Sequence, residues 1–291
     1  MHRRFIRAVL AVLFALVAVL AGLLNPPDAH AKGGVCAAQL AAAEATGAKI
    51  DAHNARRPPG GVAPPHIADP YNAEAAQLNA ERDANVARLR ACANAATKLT
   101  AGGPLPPPLT DKARSDLTQA KTQVPPGWSS PAPTPTLPNN RITVPSGSPI
   151  RPVWDVVKKL PTPMKNFPNT SLQGQPRPQV GDRHPSQPWT TIGTRRDGSP
   201  AVSADHIVPK VEIMYLPRFM ELSPEDMWLV LNAPLNLQWL PSVVNVVNKN
   251  SKSAADMQGV DATWRDAQTT LQNRKRAELT ELIATLADSR A

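Results

Sequence analysis

Hydrophobic and polar positions change their rhythm several times along the chain, and each rhythm predicts a different kind of segment. Behind Arg3, Arg4 and Arg7, residues 8–24 are an unbroken apolar run, followed by Pro26, Pro27 and Ala29-His30-Ala31. A basic start, an apolar stretch and an A-x-A site predict an export signal over residues 1–31, cut after Ala31. The run is also close to the ~17 residues that a span needs, so an uncleaved anchor is the alternative. With the signal removed, no stable membrane span is expected. The paired arginines hint at twin-arginine export, although Phe5 follows them without a spacer.

Residues 32–100 carry a helical period. Cys36, Leu40, Ala43, Gly47, Ile50 and Asn54 fall on one face, and Arg57-Pro58-Pro59-Gly60-Gly61 stops that helix. A second helix is expected to open at Asp69-Pro70, with Tyr71, Leu78, Leu89, Cys92 and Ala96 on its inner face. Cys36 begins one helix and Cys92 ends the next, so an antiparallel hairpin brings them together. An even cysteine count in an exported chain predicts a disulfide. Metal binding by the two is the other reading, a poor one without nearby histidines.

From residue 101 to 173 the rhythm is lost. GGPLPPPLT, VPPGWSSPAPTPTLP and VPSGSPIRP predict extended chain that buries little, either a spacer or a docking segment for proline-recognising partners. RPVWDVVKKLP, residues 151–161, interrupts it, and Trp154, Val156 and Val157 could dock on the next domain.

Residues 174–253 show short strand-like runs and turns. Asp197-Gly198 predicts a hairpin turn whose second strand ends at Asp205 and His206. Ser223-Pro224-Glu225-Asp226 opens a short helix running to about Asn232. Leu237, Leu240, Val244 and Val247 read as an apolar helical stripe. The tail, 254–291, is helical in pattern, with Trp264, Leu271, Leu279, Leu282 and Leu286 as contacts and Arg274-Lys275-Arg276 as a solvated cluster among acids. The expected class is therefore α+β: signal, stapled helical hairpin, Pro-rich linker, small mixed domain and C-terminal helix.

Composition changes two points. The chain has 291 residues with 33 prolines and only 4% aromatics, which argues against one large core. Its net charge of +9 invites a nucleic-acid reading, but the charge is unevenly placed. The signal carries +2, residues 32–173 carry +7, and residues 174–291 balance to zero. The basic excess belongs to the hairpin and linker, and it does not imply a basic cleft in the C-terminal part.

Asp205-His206-Ile207-Val208-Pro209, then Asn236-Leu237-x-x-Leu240, then Asn245, resembles the signature of the HNH endonucleases, the ββα-metal fold, in its H-N-N form. The likeness covers roughly residues 180–253, about a quarter of the chain. It implies hydrolysis of phosphodiester bonds, with DNA favoured over RNA. His206 would be the general base, a task that suits an imidazole neutral near pH 7. Asn236 would orient it and close its loop. Asp205 and the side-chain oxygen of Asn245 would hold Mg²⁺ or Mn²⁺. Arg195 and Arg196 would contact a nucleic-acid backbone, or be an exposed hairpin tip. Lys249 would bind phosphate, or be a solvated lysine one position beyond the usual offset, which Asn248 occupies. His184 reads as a surface histidine before a second base, and Trp228 and Trp239 as core before stacking platforms. The order of parts resembles secreted toxins and effectors, which implies an immunity partner. A non-catalytic envelope or partner-binding protein is the alternative.

Overall fold

The structure is a computed structural model that describes residues 35–57, 64–101, 103–129, 131–133, 135–136, 140–163 and 169–290. The expected signal and its cleavage site lie outside them, as does most of the stop after Arg57. Among the described residues no helix is long and apolar enough to cross a membrane. The architecture is α+β, and the chain divides into two compact units, residues 1–96 and 97–291.

The first unit is built on α1 (Ala37–Ala55) and the body of α2 (Pro65–Leu99). Both are Ala-rich, and alanine has the highest helix propensity. Helix α2 opens at Pro65, ahead of the expected first helical residue, Pro70. Proline is favoured at a first helical position, where its missing N–H costs nothing, and Pro70 then falls inside the helix. Cys36 and Cys92 form a disulfide with Cα atoms 5.8 Å apart. The buried seam differs from the expected face by about one position. Gln39, Thr46 and His53 are buried, Leu40, Ala43, Gly47 and Ile50 are half-buried, and Asn54 is exposed. These three polar residues recur every seven positions, as do Tyr71, Leu78, Asn85 and Cys92 opposite. Asn85 Nδ2 donates to Thr46 Oγ1 (2.9 Å), Thr46 Oγ1 donates to Glu81 Oε1 (3.0 Å), and the His53 ring stacks on Tyr71 at 4.0 Å. An apolar template misses such a seam because half of it is polar.

The second unit corrects the linker expectation. Between residues 101 and 173 stand α3 (Asp111–Lys121), a small antiparallel pair, β1 (Pro135–Thr136) and β2 (Arg141–Ile142), and α4 (Arg151–Val157). Leu109, Leu117, Ile142, Val144, Ile150, Val153 and Val157 are buried there, while Trp154 and Val156 are only partly so. Prolines fix φ and remove donors, but they leave the residues between them able to pack. Ile150, Val153 and Val157 keep a helical period within the Pro-rich text. The segment also supplies backbone acceptors to the rest of the unit: Pro107 O to Trp228 Nε1 (2.7 Å), Thr143 O to Tyr215 Oη (2.9 Å) and Thr170 O to Trp239 Nε1 (2.8 Å). Trp228 and Trp239 are accordingly core residues.

A short pair, β3 (Arg183–His184) and β4 (Gln187–Thr191), precedes the turn at Asp197-Gly198, where Gly198 has φ +79° and Arg195 N–H donates to Ser199 O (2.8 Å). The strand after that turn, β5 (Val202–His206), ends at His206 as expected. Its partner is β6 (Leu237–Pro241), antiparallel, with Ala204 opposite Trp239, Asp205 opposite Gln238 and His206 opposite Leu237. Between them lie α5 (Lys210–Ile213) and α6 (Pro224–Leu231), the latter capped by Ser223 Oγ accepting from Asp226 N (3.1 Å).

The expected helical stripe from Leu237 is thus replaced by a strand. Leu237 and Leu240 are three apart, which mimics a helix. In the strand they face opposite ways, and both ways are buried. Leu237 packs with Leu172, Ile192, Val202, Ala204 and Trp239, while Leu240 packs with Val244, Ala254 and Met257. A strand buried on both faces shows no alternation to read. Val244–Lys249 form a π-helical turn with Val247 63% exposed, and α7 (Ala262–Arg290) closes the chain with Leu279, Leu282 and Leu286 buried. Its basic cluster is paired with acids, Lys275 with Glu278 and Arg276 with Glu212.

Candidate functional site

The site forms at the end of β5, where adjacent residues point to opposite faces. Val202 and Ala204 enter the apolar cluster, and Ser203 and Asp205 face the π-helical turn. Asp205 is buried. Its Oδ2 accepts from Lys249 Nζ (2.6 Å) and from Gln238 Nε2 (3.1 Å) across the pair. Lys249 Nζ also donates to the carbonyls of His206 and Ile207, the latter at 3.1 Å, and the residue is 2% exposed. Lys249 is therefore neither a solvated lysine nor a phosphate contact, and both expectations for it are corrected. The π turn accounts for this. Its i→i+5 bond, Asn250 N–H to Asn245 O (3.0 Å), takes up one residue more than an α turn. Lys249 rather than Asn248 then lies beneath the strand end.

His206 follows Asp205 but faces away from it. Its Nε2 lies 2.7 Å from the carbonyl oxygen of Leu231, the last residue of α6. A carbonyl only accepts, so Nε2 carries the proton and the neutral ring keeps its lone pair on Nδ1. Desolvation holds the imidazole pKa well below its ordinary value, and the Lys210 and Lys249 charges push the same way, against the Leu231 hydrogen bond. At neutral pH the ring is uncharged. Burial also lowers Lys210, to about 8, and its Nζ donates to Leu160 O (3.4 Å).

Asn236 is fully buried and grips the chain after His206. Its Oδ1 accepts from Val208 N (2.8 Å), its Nδ2 donates to Val208 O (2.9 Å), and its own carbonyl accepts from Ile207 N (2.8 Å). These bonds tie Ile207 and Val208, the two residues that follow His206, to Asn236.

Asn245, the second expected metal ligand, is anchored beside Ser203 rather than Asp205. Asn245 Nδ2 donates to Ser203 Oγ (2.9 Å), two residues back along β5 from Asp205, a step of about 7 Å. Asp205 Oδ2 is taken by the Lys249 ammonium. Among the described residues no group of three or more His, Cys, Asp or Glu side chains could hold a metal ion. These residues, so arranged, do not fit the Mg²⁺ or Mn²⁺ site that the resemblance implies.

Arg195 is corrected from a phosphate contact to a structural one: its guanidinium donates to Val202 O and to Ser242 Oγ (3.0 Å), tying the turn to the start of β5 and to the residue after β6. Arg196 is exposed beside that turn, available to a ligand. His184 is half-buried rather than a surface histidine, and its Nδ1 lone pair is taken by Ser186 N (3.1 Å). Three participants carry little or no signal in the sequence. Lys210 lies four residues after His206 and Gln238 opposite Asp205, and both are marked by those spacings alone. The Leu231 carbonyl carries no signal, since a backbone atom depends on where α6 stops. Comparison with protein-family models, curated proteins and solved structures finds no match to this chain.

Proposed function

We propose that the chain is an exported endonuclease of HNH-like ββα design that hydrolyses phosphodiester bonds in nucleic acid, DNA before RNA. The observation that carries this reading is the tautomer of His206, held by the Leu231 carbonyl with Nδ1 as an uncharged base at neutral pH. The antiparallel pair β5 and β6, followed by a helical turn with the Asp-His at one strand end and Asn236 locking the next residues, supports it.

In this mechanism Nδ1 takes a proton from a water molecule. The water oxygen bonds to phosphorus as the bond to the leaving sugar oxygen breaks, and that oxygen is reprotonated from solvent. Lys210, mostly charged at neutral pH, and the exposed Arg196 supply positive charge for the phosphate. The disulfide suits an oxidising, extracellular setting, and the basic excess of residues 32–173 would attract a polyanion. A toxin-like role with an immunity partner rests on the order of the parts. A non-catalytic envelope or partner-binding protein is the second reading, favoured by the burial of Asp205 under Lys249.

The test is nicking of supercoiled plasmid by the chain from Lys32 onward, which holds every described residue, in Mg²⁺, Mn²⁺ or EDTA. We expect His206→Ala to lower the rate by about 10²–10⁴, the usual contribution of a general base. Folded protein that nicks neither DNA nor RNA under any of these conditions overturns the enzyme in favour of the second reading.

A further inference from the structure

We propose that the Lys249 ammonium is the resident cation of this site and stands where a divalent ion would otherwise sit. Its surroundings are those of a hard cation: one carboxylate oxygen, Asp205 Oδ2 at 2.6 Å, and two main-chain carbonyls, His206 and Ile207. An ammonium has three N–H donors, and each finds one of these oxygens. The side chains of Lys249 and Asp205 are 3% and 5% exposed, so the pair is sealed from water. The π turn delivers it, absorbing the extra residue that separates Lys249 from Asn245. A divalent ion on the same Oδ2 would have to expel the ammonium or lie against it, like charge to like charge. The amide of Asn245, whose oxygen was the second ligand expected for such an ion, is anchored at Ser203 through its Nδ2 rather than at Asp205.

The ammonium has no N–H left for a substrate. It does a metal's structural work, neutralising Asp205 and tying the end of β5 to the turn, while His206 and Lys210 remain for chemistry. The site therefore needs no divalent ion. Only the activity part of this inference rests on the endonuclease reading, because metal binding is measured without substrate.

The experiment titrates the chain from Lys32 onward with Mn²⁺ and reads free Mn²⁺ by electron paramagnetic resonance, beside Asp205→Asn and Lys249→Ala. We expect no stoichiometric Mn²⁺ on the unmodified chain up to millimolar concentration. We expect one ion per chain on Lys249→Ala if that variant folds. Nicking, where present, should persist undiminished in EDTA. One Mn²⁺ per unmodified chain, lost in Asp205→Asn, overturns the proposal, as does nicking that EDTA abolishes. The unmodified chain decides the matter even if Lys249→Ala does not fold. A chain that neither nicks nor binds Mn²⁺ sinks the endonuclease and leaves the resident cation standing.

Discussion

Asn236 grips Val208 by both of its main-chain groups, accepting from the N–H at 2.8 Å and donating to the carbonyl at 2.9 Å. A carboxamide suits this, because it carries an acceptor and a donor side by side whatever the pH. Asn236→Ala leaves both Val208 groups buried and unpaired, which costs about 1–3 kcal/mol for each. Asn236→Asp keeps the acceptor and loses the donor. We expect both variants to be destabilised in urea unfolding and to lose kcat more than KM, since the loop they release follows the base directly.

Lys249 and Asp205 depend on each other in the same way, with larger charges. Lys249→Met strands a buried carboxylate, and removing one partner of such a pair costs about 3–5 kcal/mol. The double variant Asp205→Asn with Lys249→Met removes both charges and should recover most of that loss. A double-mutant cycle in chemical denaturation measures the coupling. Additivity of the two single losses would mean that the pair does not act as a unit.

Acid should weaken the second unit through His206. Its folded pKa is depressed, so the unfolded chain binds the proton first. The stabilisation is complete above the unfolded value of about 6.5 and is lost as pH falls from there through the folded pKa. The imidazole Cε1–H signal, followed by NMR against pH, should titrate well below that value. Lys210→Met, which removes one repelling charge, should move it upward. On the alkaline side Lys210 loses its proton near pH 8, so activity that uses its charge should decline above that pH. Lys210→Arg should extend activity to higher pH.

Much of this site is legible in the sequence because its chemistry sits in short contiguous words. Asp205-His206 before a proline, and an asparagine before Leu237, mark a strand end and a buried amide whatever surrounds them. What escaped was whatever depends on a partner far along the chain. The turn at Asp197-Gly198 was readable, but the pairing of β5 with β6 skips some thirty residues and has no local signature. Lys249 looked like a surface lysine because spacing on an α-helix places Asn248 at the expected offset. The extra residue is absorbed by a π turn, which no simple period predicts. Proline density hid the helices α3 and α4, whose apolar residues are few but regularly spaced.

Cutting the chain at residue 174 should therefore fail to yield a folded domain. Residues 174–291 alone lack the carbonyls of Pro107, Thr143 and Thr170 that Trp228, Tyr215 and Trp239 use, and they lose the Arg114 partner of Glu225. A piece from Thr97 keeps them all. Near-ultraviolet circular dichroism should show ordered tryptophans in the longer piece and none in the shorter. Equal spectra from the two would return residues 101–173 to the role of a spacer.

The first unit should need its disulfide. By the chain-entropy estimate, closing a loop with a sequence separation of 56 is worth about 4 kcal/mol. With Gln39, Thr46 and His53 in its seam, the hairpin has little apolar burial to replace that. Cys36→Ser with Cys92→Ser should shift its helical signal to lower temperature and open it to proteolysis, and dithiothreitol should do the same to the unmodified chain.

Both cysteines of the chain lie in that hairpin, so the two units answer differently to their redox surroundings. In an oxidising medium both are held. On passage into a thiol-rich compartment the hairpin would come undone, while the unit carrying His206 and Lys249 has no bond for glutathione to attack.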